Sequence, residues 1–201
     1  MTSPAMPKLI LASSSPYRRL LLERLGLPFT TVPPVVDETP QPSERPADTA
    51  VRLAEAKARA VAATHADALI VGSDQVADFH GVLIGKPRDP AHALEQLQAM
   101  RGSTIVFHTG LALLNGRTGR CQTALVDVAS TFRTLDDAAL TAYLEREQPY
   151  DSAGSVKAEA MGITLFARIA SEDPTALIGL PLIRLTDMLL AEGVSPLLFP
   201  R

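Results

Sequence analysis

The longest strand signals in this chain are residues 104–114 and 120–133, and the five residues between them read Asn115-Gly116-Arg117-Thr118-Gly119. Asn-Gly between two β-prone runs marks a tight hairpin, because both residues tolerate the positive φ such a turn needs. Two long strands joined this way run antiparallel. The sheet is therefore at least partly antiparallel, which argues against a purely parallel dinucleotide-binding arrangement. No G-x-G-x-x-G follows the first strand either. With 201 residues, 46% of them apolar, the chain can bury a sizeable core, and it reads as one domain over 1–201.

The second constraint is the stretch A-L-I-V-G-S-D-Q-V-A-D at 68–78. Five residues that favour a buried strand run into Ser73-Asp74-Gln75, and polar residues at the end of a buried strand usually sit at the rim of a sheet, where ligands bind. Asp74 is thus expected at a strand end, where a carboxylate can hold a metal ion or activate water. A lone aspartate there could equally cap a turn. Its neighbours in the pattern decide the matter.

Upstream, residues 8–12 form a short strand, Ser13-Ser14-Ser15 follows, and a helix is expected over 17–25 with Ser15 as N-cap, Pro16 at its first position and Gly26 beyond its end. The Ser13 and Ser15 hydroxyls and the Arg18 guanidinium gather at that helix start, where backbone N–H groups attract anions. A second strand covers 29–32. The Pro-rich, acidic segment 33–46 is a loop carrying Asp37 and Glu38. In the helix over 47–64, Ala50, Leu53, Ala54, Lys57, Val61 and Ala62 share one stripe, so Lys57 points inward and needs an anionic partner.

Residues 82–87 return as a hairpin on the Asp74 strand and end in Lys86, with Gly85 read as a site of close backbone approach. Helices follow over 89–101 and from Thr134 or Asp136 to 147. The small-residue loop 153–159 carries Lys157 and Glu159 and precedes a strand over 163–169. A short helical turn over 174–177 and an amphipathic helix over 181–191 complete the chain.

A formal net charge of −3 gives no basic footprint for nucleic acid, so phosphate would have to be met by a local cluster of Lys and Arg, which suits a small anionic ligand. Cys121 is the only cysteine, and the four histidines show no metal-ligand spacing. The first residues lack the apolar run of a signal peptide, and no stretch is long and apolar enough for a membrane span. The expected compartment is the cytoplasm.

Taken together, L-A-S-S-S-P-Y-R-R at 11–19, V-D-E at 36–38, A-E-A-K at 54–57, G-S-D-Q-V at 72–76, G-K-P at 85–87 and A-G-S-V-K-A-E at 153–159 resemble the Maf family of nucleoside triphosphate pyrophosphatases over nearly the whole chain. The resemblance implies an α/β fold like that of inosine triphosphate pyrophosphatases: an elongated mixed sheet with flanking helices, and two lobes around a cleft. It also implies a divalent cation such as Mg²⁺ or Mn²⁺, cleavage between the α- and β-phosphates, and frequent homodimers. The family's functional positions fall on Ser13, Arg18, Glu38, Lys57, Asp74 and Lys86, with Asp74 as proton acceptor and Asp74 and Glu38 as metal ligands.

Tyr17, the Ser73-Asp74-Gln75 triplet and the 155–159 loop resemble the branch acting on 7-methyl-GTP more than the one acting on dTTP and UTP, which makes Tyr17, Gln75 and Glu159 the specificity candidates. A non-catalytic nucleotide-binding regulator of septum formation is the alternative from another class.

Overall fold

In the computed structural model, which describes residues 7–198, the expected hairpin forms within one seven-stranded sheet. Its strands are β1 (Leu9–Ala12), β2 (Phe29–Thr31), β3 (Leu69–Phe79), β4 (Val82–Ile84), β5 (Thr104–Asn115), β6 (Cys121–Phe132) and β7 (Phe166–Ser171). The order is β2-β1-β3-β5-β6-β7, and β4 pairs with β3. The β1–β2 and β1–β3 pairs are parallel and all others antiparallel, so the sheet is mixed, as expected.

Five helices flank it: α1 (Pro16–Glu23), α2 (Pro46–Ala62), α3 (Pro90–Met100), α4 (Asp137–Glu147) and α5 (Leu182–Ala191). Strand alternation sorts them onto the two faces. Ile10, Ile70 and Ala112 pack with Ala54, Ala58 and Val61 of α2. On the opposite face, Leu11, Val71 and Leu113 pack against Leu21 and Leu22 of α1 and Leu185 and Leu189 of α5. Further along that face, Ala77, Phe107 and Val128 pack against Leu97 of α3 and Leu144 of α4. These two clusters form two lobes on one sheet.

At two points under α2 the sheet presents bare backbone. A Cβ at Gly72 would lie 2.1 Å from Ala54 O, and one at Gly110 would lie 2.1 Å from Ala50 O. With only alanines opposite, α2 settles directly on β3 and β5, and this close approach sets where the next inward residue, Lys57, can reach.

Three local expectations change. The helix expected to run to Leu25 ends at Glu23. Residues expected to open the last strand form instead a 3-10 helix, Met161–Leu165, and β7 starts at Phe166. Gly162 N donates to Lys157 O at 3.0 Å and the Thr164 hydroxyl donates to Met161 O at 2.7 Å, so this segment closes on itself before it reaches β6. A Cβ at Gly85 would meet no protein atom within 4 Å, so the close approach expected at that glycine is not one to the rest of the fold.

The loop between β2 and α2 is pinned from the helix. The Arg52 guanidinium donates to both Glu44 oxygens, at 2.5 and 2.8 Å, and to Thr39 O at 3.2 Å. Arg52 holds the Glu44 carboxyl down from its ordinary 4.5 to about 2, against the opposing effect of burial and with help from the Gln41 N–H. A lowered folded-state value means stability that is fully present above about pH 4.5 and lost as pH falls towards about 2. Glu44→Gln should therefore be less stable than the parent near neutrality, and denaturant titrations across this range should show the gap closing on acidification. A gap independent of pH would mean that the ion pair does not hold the loop.

Candidate active site

All nine residues singled out in the sequence for chemistry or specificity line one cleft of about 530 Å³. Its position follows from the edge of β3. β1 ends with Ala12 opposite Gly72, and β4 begins pairing at Ala77, while β5 continues along the other edge from Leu69 to Asp78. Residues 73–76 therefore have a strand neighbour on one side only. Asp74 is not at the end of its strand, as expected from the sequence, but in its middle, opposite Gly110, where the neighbouring strands part. The long β5 carries β3 onward through its polar residues.

Asp74 faces α2, where Lys57 waits. Lys57 Nζ lies 2.6 Å from Asp74 Oδ1 and 2.6 Å from Glu38 Oε1. The Lys57 and Asp74 side chains are only 7% and 10% exposed, whereas Glu38 on its loop is 52% exposed. An ammonium this buried is tolerable only because two carboxylates meet it. The inward lysine expected from the helical stripe thus finds its anions, and both are acids that the sequence had marked.

Arg18 projects from α1, with Nε donating to Gly179 O at 2.9 Å. Burial pulls its guanidinium below the ordinary arginine value, and the charges of Asp74 and Glu38 act against that pull. For Glu38, burial raises the carboxyl, but the Lys57 hydrogen bond and the charges of Lys57, Lys86 and Arg18 outweigh it and hold it below the ordinary glutamate range. Lys86, just past β4, is exposed at the rim. Ser13 is buried, and its hydroxyl accepts from Ser15 N at 3.1 Å, while Ser15 caps α1 by accepting from Arg18 N at 3.4 Å. The strand-to-helix turn is ordered by its own serines.

Tyr17 and Glu159 also line the cleft. Glu159 is exposed, but partial desolvation on its loop, helped by the charges of Glu147 and Asp151, pushes its carboxyl above its ordinary value. Lys157 pairs with Asp151 at 3.2 Å. Burial would lower this ammonium, but the Asp151 hydrogen bond and charge, with Tyr17 and Glu147, raise it on balance.

Gln75 departs from expectation. Its Nε2 donates to Ala176 O (2.8 Å), Leu177 O (3.0 Å) and Thr109 Oγ1 (3.0 Å), on the face opposite Asp74. The amide N–H groups that a specificity residue would turn to substrate are engaged with this turn. The turn itself, with Leu177, Ile178 and Gly179, lines the cleft and escaped the sequence reading, which saw a helical turn and no ligand-facing role. Its one sequence signal is Gly179, placed between apolar residues just before Pro181.

Among the described residues, no group of three or more His, Cys, Asp and Glu side chains is arranged to hold a metal ion. Two carboxylates from separate elements nonetheless fit a hard divalent cation of the Mg²⁺ kind, which takes one or two protein carboxylates and completes its shell with phosphate oxygens and water. No helix among the described residues is long and apolar enough to cross a membrane.

Comparison with known proteins agrees with this chemistry. The chain is 60% identical over 183 residues to a "7-methyl-GTP pyrophosphatase" of Ralstonia nicotianae, covering 91% of this chain and 94% of that one. It is 58% identical over 193 residues to the protein of that name from Cupriavidus metallidurans, covering 96% and 97%. A third, from Aromatoleum aromaticum, is 56% identical over 187 residues, covering 93% and 96%. Residues 8–192 match the family described as Maf-like protein, and with relatives this similar along nearly its whole length the chain belongs to the Maf family.

Proposed function

We propose that this protein hydrolyses 7-methyl-GTP to 7-methyl-GMP and pyrophosphate. The observation that carries the reading is the Lys57 ammonium held between Asp74 and Glu38 inside a cleft that Arg18 and Lys86 also line. A triphosphate brings about four negative charges, and attack by water needs cations to offset repulsion and to meet the charge collecting on the leaving pyrophosphate. Arg18, Lys57 and Lys86 supply three of them.

In this reading Asp74 orients the attacking water and takes its proton through Oδ2, since Oδ1 is engaged with Lys57. The water oxygen forms the new bond to phosphorus as the α–β anhydride bond breaks, and pyrophosphate leaves with the bonding pair. Asp74 and Glu38 would hold the divalent cation, Mg²⁺ or Mn²⁺, whose contribution when bound is to neutralise phosphate charge. The enzyme keeps modified nucleotides out of nucleic acids, and a homodimer or a link to cell division would be additional to this chemistry.

Methylation at N7 gives guanine a positive charge. Tyr17 can offer its ring face for a cation–π contact of about 0.5–2 kcal/mol, and Glu159 can accept from N1–H and the exocyclic amine, a donor pair that uracil and thymine lack. Because Glu159 titrates above the ordinary glutamate value of 4.5, its useful ionised form is lost on acidification earlier than for a free glutamate.

At equal concentrations, turnover of 7-methyl-GTP should exceed that of GTP, dTTP and UTP, with pyrophosphate as the released product. Faster turnover of dTTP or UTP would assign the protein to the other branch, orthophosphate would sink the reaction class, and binding without turnover would leave a nucleotide-binding regulator. In Glu159→Gln, cleavage of 7-methyl-GTP should fall more than any residual pyrimidine activity. The rise in its KM on acidification should also disappear; equal losses on all substrates would move Glu159 to the phosphates.

Replacing Lys57 or Lys86 by Met keeps the aliphatic stem and removes the charge. Turnover should drop by roughly 10²-fold, and by a similar factor for every triphosphate tested. A loss confined to one base would place that lysine in the base pocket.

A further inference from the structure

The turn that closes the cleft, Ala176 to Gly179, is gripped through its carbonyl oxygens by side chains far away in sequence. Beyond the Gln75 contacts, the Thr109 hydroxyl donates to Ala176 O at 2.9 Å, and the Ser73 hydroxyl lies 2.8 Å from both Gly179 O and Gly110 O. Arg18 Nε donates to the same Gly179 oxygen. Ser73 and Thr109 are wholly buried. The two ends of the turn are tied as well. Asp173, 2% exposed, accepts from Thr175 N at 3.0 Å and the Thr175 hydroxyl at 2.7 Å through Oδ1, and from Ile183 N at 2.7 Å through Oδ2.

Gly179 is required twice over. Its φ is +107°, in the region L side chains avoid, and an added Cβ would stand 3.2 Å from Arg18 Nε. The left-handed backbone turns the carbonyl toward β3, and the missing side chain leaves room for the guanidinium. Ser73 belongs to none of the cationic or acidic groups assigned to chemistry. It lies next to Asp74, but strand alternation sends its side chain to the opposite face, onto the oxygen that holds Arg18.

We propose that Ser73 and Gly179 are positioning residues for Arg18: Ser73 fixes the Gly179 carbonyl, and that carbonyl, by taking Nε–H, aims the rest of the guanidinium fork into the phosphate end of the cleft. A planar fork pinned at one N–H keeps its terminal donors in a set direction, so little reorganisation is left for the moment charge develops. A displacement of about 1 Å in such a group can cost about 10²-fold in rate. The proposal rests on reading the cleft as a triphosphate site.

The test is a double-mutant cycle on Ser73→Ala and Arg18→Lys, reading kcat and KM for 7-methyl-GTP together with each variant's melting temperature. Lysine at 18 keeps the charge but lacks the fork and the Nε–H. Ser73→Ala should lower kcat by about 10-fold and Arg18→Lys by about 10²-fold, and the double variant should be no worse than Arg18→Lys within about 2-fold. Losses that multiply to about 10³-fold would overturn the proposal, since Ser73 would then serve the fold independently of Arg18. If Ser73→Ala does not fold, Ser73→Cys, of similar size with a weaker donor, takes its place in the same cycle, with the same non-additivity supporting and the same additivity overturning.

Calorimetric binding of inorganic tripolyphosphate is measured on the same four proteins. A wild type that binds tripolyphosphate but releases no pyrophosphate would defeat the functional reading alone, and the cycle in binding constants would still decide whether Ser73 acts through Arg18.

Discussion

The proposed chemistry centres on the Lys57 ammonium, held at 2.6 Å by one carboxylate from the middle of a strand and at 2.6 Å by another from a loop. Removing a buried ammonium's partners leaves a charge that water cannot reach, so the three groups stand or fall as a unit. The unit also explains the packing around it. Lys57 reaches Asp74 because α2 lies on bare backbone at Gly72 and Gly110 with alanines opposite; a larger residue at either contact would lift the helix and with it the lysine. Arg52, bonded to Glu44 and to Thr39 O, ties down the loop that carries the third member, Glu38.

The cleft arises from the topology of the sheet. β3 has a parallel neighbour in its first half and an antiparallel one at its end, both on the same edge, and the residues between are left open. Ligands in α/β sheets settle where strand order changes, because neighbouring connections leave in different directions there and a crevice remains. Here the crevice falls between the lobe built on α1 and α5 and the lobe built on α3 and α4, with the Ala176 to Gly179 turn packed between their cores. The cations that line the cleft come from α1, α2 and the end of β4, so a polyanion bound there would touch both lobes.

Much of this was legible in the sequence because it depends on local rules. The turn signals at 115–119 marked the antiparallel part of the sheet, although the left-handed backbone there falls on Gly119 and not on Asn115 or Gly116, and the stripe from Ala50 to Val61 turned Lys57 inward before any partner was known. Ser15, Asp89 and Asp136 cap their helices as their types suggest. Other features depend on distant residues. Gly-Ser-Asp-Gln resembles a strand exit, and only the pairing with β5 shows that the strand continues. The alternation in I-T-L-F-A-R-I suits a strand throughout, but Gly162 lets the chain close against Lys157 first. Gln75 sits beside the chemistry in sequence and faces away from it in space, bonded to residues about a hundred positions later.

The measurement that bears most directly on the central unit is turnover and thermal stability of Asp74→Asn. The amide keeps the shape of the carboxylate and can still accept from Lys57, but it can neither take a proton from water nor supply a negative charge to a cation. A protein that still folds and binds 7-methyl-GTP, with a melting temperature lowered by the loss of one of the ammonium's two anions and turnover lower by roughly 10²-fold or more, is the result this account requires. Turnover close to that of the parent would contradict it, and the catalytic centre would have to be sought elsewhere in the cleft.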